Sequence, residues 1–125
     1  MKSMVSAVLF AKDLRKVATF YTRVCSAKVK NEDAHHADLD CGGFQLIVQQ
    51  IPEHYAKAVV LSDPPRRREH GAVRLDFPIA DVTAARAVAR SLGGEIDDRP
   101  PPWAGNDTRF HLGHDPEGNV FGAEG

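Results

Sequence analysis

The chain alternates between short apolar runs and helical stripes, in an order that occurs twice. Val5–Ala11 reads as an apolar strand, closed by Lys12 and Asp13. Asp13 stands where a helix N-cap is needed. Leu14, Val17, Ala18, Tyr21 and Val24 then recur at the spacing of one helical face, which predicts an amphipathic helix over Asp13–Val24. Strands are expected at Val29–Asn31, Ala37–Cys41 and Phe44–Gln50, the last two joined at Gly42-Gly43. Ile51–Val60 has room for a helical turn or two. Ser62–Glu69, with Pro64-Pro65 and the run Arg66-Arg67-Arg68, reads as a solvated surface connection.

The same order then returns. Ala72–Ile79 is expected as a strand, with Pro78 at its end or at an unpaired edge position. Asp81 can cap a helix carrying Val82, Ala85, Val88, Ala89 and Leu92, which Gly93-Gly94 stops. Glu95–Asp97 begins a strand, Asp98–Asp107 is a Pro-rich loop, and Arg109–Gly113 and Asn119–Ala123 are strands joined by the turn Asp115–Gly118. An offset of 68 pairs Asp13 with Asp81, Leu14 with Val82 and Val17 with Ala85. An offset of 75 pairs Gly43-Phe44-Gln45-Leu46 with Gly118-Asn119-Val120-Phe121. An internal repeat explains both the offsets and the repeated order of elements.

The expected fold is therefore α+β, a single domain over residues 1–125. Module one covers about 1–51, a linker about 52–70 and module two about 71–125. Side chains alternate along a strand. Ala7, Leu9 and Ala11 are expected to face the first helix with Leu46 and Val48, which leaves Ser6, Val8, Phe10, Gln45, Ile47 and Gln49 on the opposite face. Leu75 and Phe77 are expected under the second helix, with Arg74 and Asp76 opposite. Two such halves forming a curved mixed sheet, helices outside, would enclose a cup suited to a small molecule.

Composition narrows the function. A hydrophobic fraction of 42% and a charged fraction of 26% suit a globular domain, and a net charge of −1 offers no field for nucleic acid or anionic membrane. Cys25 and Cys41 read as reduced, buried thiols, although a disulfide between them is left open by sequence. Lys2 ahead of Met4–Ala11 is a poor leader signal, because charged residues follow at once without a cleavage site. The expectation is a cytoplasmic protein.

Three segments carry a family resemblance: VLFAKDLRKVATFYTRV at Val8–Val24, LDFPIADVTAARAVARSLGGEI at Leu75–Ile96 and DPEGNVFG at Asp115–Gly122. Together they resemble the vicinal oxygen chelate superfamily, which includes glyoxalase I, bleomycin-resistance proteins and extradiol dioxygenases. The resemblance implies paired βαβββ modules, a homodimer, and a small-molecule ligand in the cup. In its metal-binding members the ligands stand on the first and last strands of each module. Carried onto this chain by counting from Asp13, Asp81, Gly43 and Gly118, those positions are Ser6, Arg74, Ile47 and Gly122. Isoleucine and glycine offer no donor and arginine repels a cation, so no metal and no cofactor is expected. A rearranged site using His111, Glu124 and His70 is the competing reading. His35-His36 are placed in a loop.

The ligand-binding candidates are then Ser6, Phe10, Ile47, Arg74, Asp76, Trp103 and His111, with His111 expected to look into the cup. Arg74 needs an anion, from a ligand or from a neighbour such as Asp76. Trp103 could stack on a flat ligand, plug the cup or pack at a dimer interface. The expected function is that of a metal-independent binding protein, closest in kind to the metal-less bleomycin-resistance-like members, that sequesters a partly aromatic or anionic ligand. The alternatives are a lyase, isomerase or oxygenase with a non-standard metal site or metal-free chemistry, and a structural domain whose cup is self-filled.

Overall fold

A computed structural model describes residues 4–106 and 109–125. Lys2 and Asp107, used above for the leader reading and the loop boundary, lie outside the described residues. The chain forms two compact units, Met1–Val60 and Leu61–Gly125.

The first unit contains β1 (Val5–Ala11), α1 (Leu14–Val24), β2 (Lys28–Glu32), β3 (His36–Asp40), β4 (Phe44–Gln50) and the short α2 (Glu53–Ala56). Its sheet runs β1-β4-β3-β2, with β1 parallel to β4 and the other pairs antiparallel. Asp13 caps α1 by accepting the N–H of Lys16 at 3.2 Å, which satisfies one of the donors a helix start leaves open. Leu14, Val17, Phe20, Tyr21 and Val24 form the buried stripe of α1, and they meet Ala37, Leu39, Leu46 and Val48 in the core.

The second unit contains β5 (Leu75–Pro78), α3 (Val82–Ser91), β6 (Glu95–Ile96), a 3₁₀ turn at Pro102–Ala104, β7 (Phe110–His114) and β8 (Val120–Glu124). Its sheet runs β5-β8-β7-β6, the same order as the first. Asp81 caps α3 through the N–H of Ala84 at 3.0 Å. The helix-facing layer holds Phe77, Phe121, Ala123 and Ile96 against Ala85 and Ala89. Phe77 and Phe121 meet edge to face at 6.1 Å.

The repeat is visible in the ladder itself. Ala7 pairs with Leu46, and Leu75, 68 positions after Ala7, pairs with Phe121, 75 positions after Leu46. The fold is thus α+β, built of two βαβββ modules, each with its own open four-stranded mixed sheet.

Four elements, β3, β5, β7 and β8, differ from the sequence reading. His36 opens β3 rather than lying in a loop, because the Asp33 carboxylate accepts the N–H groups of His35 and His36 at 2.8 and 2.9 Å and closes the β2–β3 turn there. Those two bonds, His35 first, also hold the Asp33 carboxyl below the usual carboxylate range. β5 is shorter than Ala72–Ile79, since β8 supplies only the partners Phe121–Glu124. β7 and β8 each begin one residue later than expected. The two cysteines are not joined in a disulfide, and both are only half-buried.

The turn Asp115–Asn119 docks the connection onto the second sheet. Fully buried Asp115 accepts the N–H groups of Glu117 at 2.8 Å and Asn119 at 3.1 Å, and the Asn119 amide at 2.9 Å. Gly118 follows at φ 83°. A β-carbon there would collide with the carbonyl of Arg66, while the Gly118 carbonyl accepts the N–H of Arg68 at 2.8 Å.

Candidate functional site

Strand alternation sets which side chains can meet on the second sheet. Asp76 pairs with Gly122, and Gly122 with Leu112, so these share one face with Arg74, Phe110, Val120 and Glu124. This is the face turned away from Phe77, Phe121 and the helix.

Arg74 is held there in a fixed pose. Its Nε donates to Asp76 Oδ1 at 2.7 Å and its Nη2 to Oδ2 at 3.0 Å, a bidentate pair. The guanidinium carbon lies 5.3 Å from the Trp103 ring centre and 5.0 Å from that of Phe110. The two rings are themselves 5.5 Å apart. Its hydrogen bonds to the Asp76 carboxylate raise the Arg74 pKa further, so the cation is permanent. Arg74 and Asp76 remain about 40% exposed as side chains, and Trp103 is open to solvent. Gly122 makes the arrangement possible, because a β-carbon there would overlap Asp76 Oδ1 and the Phe110 ring.

The candidates therefore separate. Arg74, Asp76 and Trp103 come together, with the addition of Phe110, which the sequence reading missed. The available signal was Gly122 itself, a glycine inside a strand beside a large ring and a carboxylate. In the first unit Ser6, Phe10 and Ile47 share one face of the first sheet, since Ser6 pairs with Gln45, Val8 with Ile47 and Phe10 with Gln49. Val8 and Phe10 on that face are 49% and 59% exposed.

His111 does not join the face of Arg74, contrary to the expectation from sequence. It pairs with Ala123, which pairs with Phe77, so it points to the helix-facing side and not with Arg74. There it is 8% exposed, and its Nδ1 is buried without a hydrogen-bond partner among the described residues.

The arginine run also departs from a uniformly solvated linker. Arg66 and Arg68 are exposed, but Arg67 folds inward. It donates Nη1 and Nη2 to Asp97 at 2.9 and 2.8 Å, and Nε to Nδ1 of His114 at 3.0 Å. Burial, and next the neighbouring Arg67 cation, push the His114 pKa down.

A divalent cation does not fit the donor set at the four counted positions. Ile47 and Gly122 have no side-chain donor and Arg74 is a cation. Both oxygens of nearby Asp76 are taken by Arg74. No group of three or more His, Cys, Asp or Glu side chains is placed to hold a metal among the described residues. Among the described residues, too, no helix is long and apolar enough to cross a membrane.

A family model described as a glyoxalase-like domain matches residues 6–123. No curated protein matches the chain. Among solved structures, it is similar to TioX from Micromonospora sp. ML1, with 23% identity and a TM-score of 0.61 over 98% of this chain and 97% of that one. A mutant of the fosfomycin resistance protein FosX from Listeria monocytogenes, complexed with Mn(II) and 1S,2S-dihydroxypropylphosphonic acid, is 17% identical with a TM-score of 0.67, over 99% and 90% of the two chains. A possible glyoxalase from Bacillus cereus is 15% identical with a TM-score of 0.64 over the full length of both. At these identities the likeness is one of fold.

Proposed function

The chain belongs to the glyoxalase-like domain family, within the vicinal oxygen chelate superfamily, and from that premise we propose that it is a metal-independent binding protein for a small, flat, anionic molecule. The observation that carries this reading is the state of Arg74. A cation occupies the position where a metal ligand would stand, pinned by Asp76 and backed by two rings. Both Nε and Nη2 are committed to Asp76, so the Nη1 edge is the part of the fork left for a ligand. A pre-positioned guanidinium loses little freedom on binding, and a charge-assisted hydrogen bond to it contributes about 1.5–3 kcal/mol.

The exposed Trp103 offers its ring to a planar ligand at the same place. Both oxygens of Asp76 are already engaged by Arg74, which favours sequestration over proton transfer. The solved fold relatives do not bear on the ligand, since one scaffold hosts many functions.

A thermal-shift titration with 1-naphthoate, a planar aromatic carboxylate, tests the reading. Saturation to about 100 times the dissociation constant should stabilise the protein by about 2.7 kcal/mol. A midpoint that ignores naphthoate and related aromatic carboxylates at every concentration would remove the proposal. Stoichiometric metal in elemental analysis of the purified protein would remove its metal-independent part.

A further inference from the structure

Arg67, Asp97 and His114 join three segments of the second unit. Arg67 lies on the connection that leads to Arg74, Asp97 opens the segment that carries Trp103, and His114 ends β7. The Arg67 guanidinium spans all three. It grips Asp97 with two bonds, and its Nε–H donates a hydrogen bond to His114 Nδ1 at 3.0 Å. The side chain of Arg67 is only 19% exposed. Nδ1 can accept that proton only while it carries none, so the geometry requires a neutral His114 protonated on Nε2.

The charged groups around His114 come from each neighbouring element. Arg67 approaches from the connection, Glu95 lies directly across on β6 and Asp97 just beyond it, and Asp115 follows in the chain. Arg90 of α3 is occupied by Glu95 and Asp98. Burial and Arg67 disfavour a proton on the ring, while the three carboxylates favour it.

We propose that Arg67, Asp97 and His114 form a proton-sensitive clasp, in which protonation of His114 at Nδ1 removes the acceptor of Arg67 and loosens together the segments that carry Arg74 and Trp103. The added proton comes from solvent and no covalent bond changes. Two donors and two positive charges then face each other where one hydrogen bond stood, and the His114 ring is drawn towards Glu95, its partner across the ladder. The clasp regulates the ligand site proposed above and rests on that reading for its functional meaning, although its opening is measurable without any ligand.

Hydrogen exchange followed by mass spectrometry is the test, with rates divided by the intrinsic rate at each pH. Between about pH 7.5 and about pH 5.5, the range in which histidine switches, opening of residues 66–74 and 97–106 should rise several-fold relative to β3. His114→Asn places an amide oxygen near the Nδ1 position and cannot be protonated, so its profile should stay flat. Identical pH profiles in wild type and His114→Asn would overturn the clasp. Ring-nitrogen NMR of the wild type gives a second reading that needs no variant: a His114 already protonated at about pH 7 would overturn it equally.

Binding of 1-naphthoate at the two pH values separates the two proposals. Weaker binding at the lower pH supports the coupling, and equal binding overturns it. Opening that responds to pH in a protein that binds no aromatic carboxylate supports the clasp and removes only the ligand reading.

Discussion

The carboxylate of Asp76 occupies the space that a β-carbon on Gly122 would need. The same missing methyl leaves room for the Phe110 ring, whose Cε1 would lie 2.7 Å from it. Gly122→Ala should therefore expel Asp76 from its pairing with Arg74 or push Phe110 out of place. Overpacking of this kind costs about 1–3 kcal/mol. Chemical denaturation should show it as a lower midpoint with an unchanged slope. An alanine variant as stable as wild type would mean that the face is looser than its geometry indicates.

Asp115 is the buried acceptor on which the last turn is built. Asp115→Ala would strand the N–H groups of Glu117 and Asn119, and each buried unsatisfied donor costs about 1–3 kcal/mol. The expected loss is at least about 2 kcal/mol, and the connection at Arg66–Arg68 should become protease-sensitive because Gly118 holds it. Denaturation and limited proteolysis with trypsin measure the two effects.

The caps offer an internal comparison. Asp13 and Asp81 occupy equivalent repeat positions and accept from equivalent backbone donors at 3.2 and 3.0 Å. Asp13→Ala and Asp81→Ala should each cost about 1 kcal/mol. Equal losses in the two variants are expected from equal geometry. A cap that can be removed without loss would show that its helix start is held by something else.

These elements are legible in the sequence because their determinants are local. An aspartate before each apolar stripe, the glycine pair Gly93-Gly94 after the second and the short apolar runs in Val5–Ala11 and Phe44–Gln50 each specify their element. The two repeat offsets even carried the β1–β4 register into β5–β8. The site was only partly legible. His111 went to the wrong face because β7 runs Phe110–His114, and the direction of a side chain depends on long-range pairing that local pattern does not set. Arg67 was lost inside a run of three arginines, since its partners Asp97 and His114 lie 30 and 47 positions away. Phe110 was signalled only through Gly122, a strand glycine whose meaning depends on the β7–β8 pairing.

His114 makes one contribution to the acid response of the fold. Its folded-state pKa is below the ordinary histidine value because burial, and then Arg67, disfavour the charged ring. The unfolded chain therefore takes up this proton first as pH falls. Stability contributed by the neutral ring is complete above about pH 6.5, declines as pH drops through that value, and stops declining below the folded pKa. His114→Asn should lose less stability than wild type between about pH 7 and about pH 5, although it need not be more stable at neutral pH. Thermal melts across that range decide it, and parallel curves for the two proteins would contradict the assignment.

Arg74 gives the sharpest test of ligand chemistry, because charge and shape can be varied separately. Arg74→Met keeps an unbranched side chain that can lie against Trp103 and Phe110, but it removes the positive charge and the Nη1 donors. It also leaves Asp76 without its partner, half-exposed to water, so the stability cost should be modest. Loss of a charge-assisted hydrogen bond of about 1.5–3 kcal/mol corresponds to roughly a tenfold to hundredfold weaker affinity for 1-naphthoate. The uncharged 1-naphthamide, with the same ring system, should bind wild type and variant within about threefold of each other, as stacking on Trp103 is common to both. Isothermal titration of the two ligands against the two proteins completes the square. If naphthoate loses no more than naphthamide, the guanidinium is a structural partner of Asp76 alone and the anionic half of the ligand assignment fails.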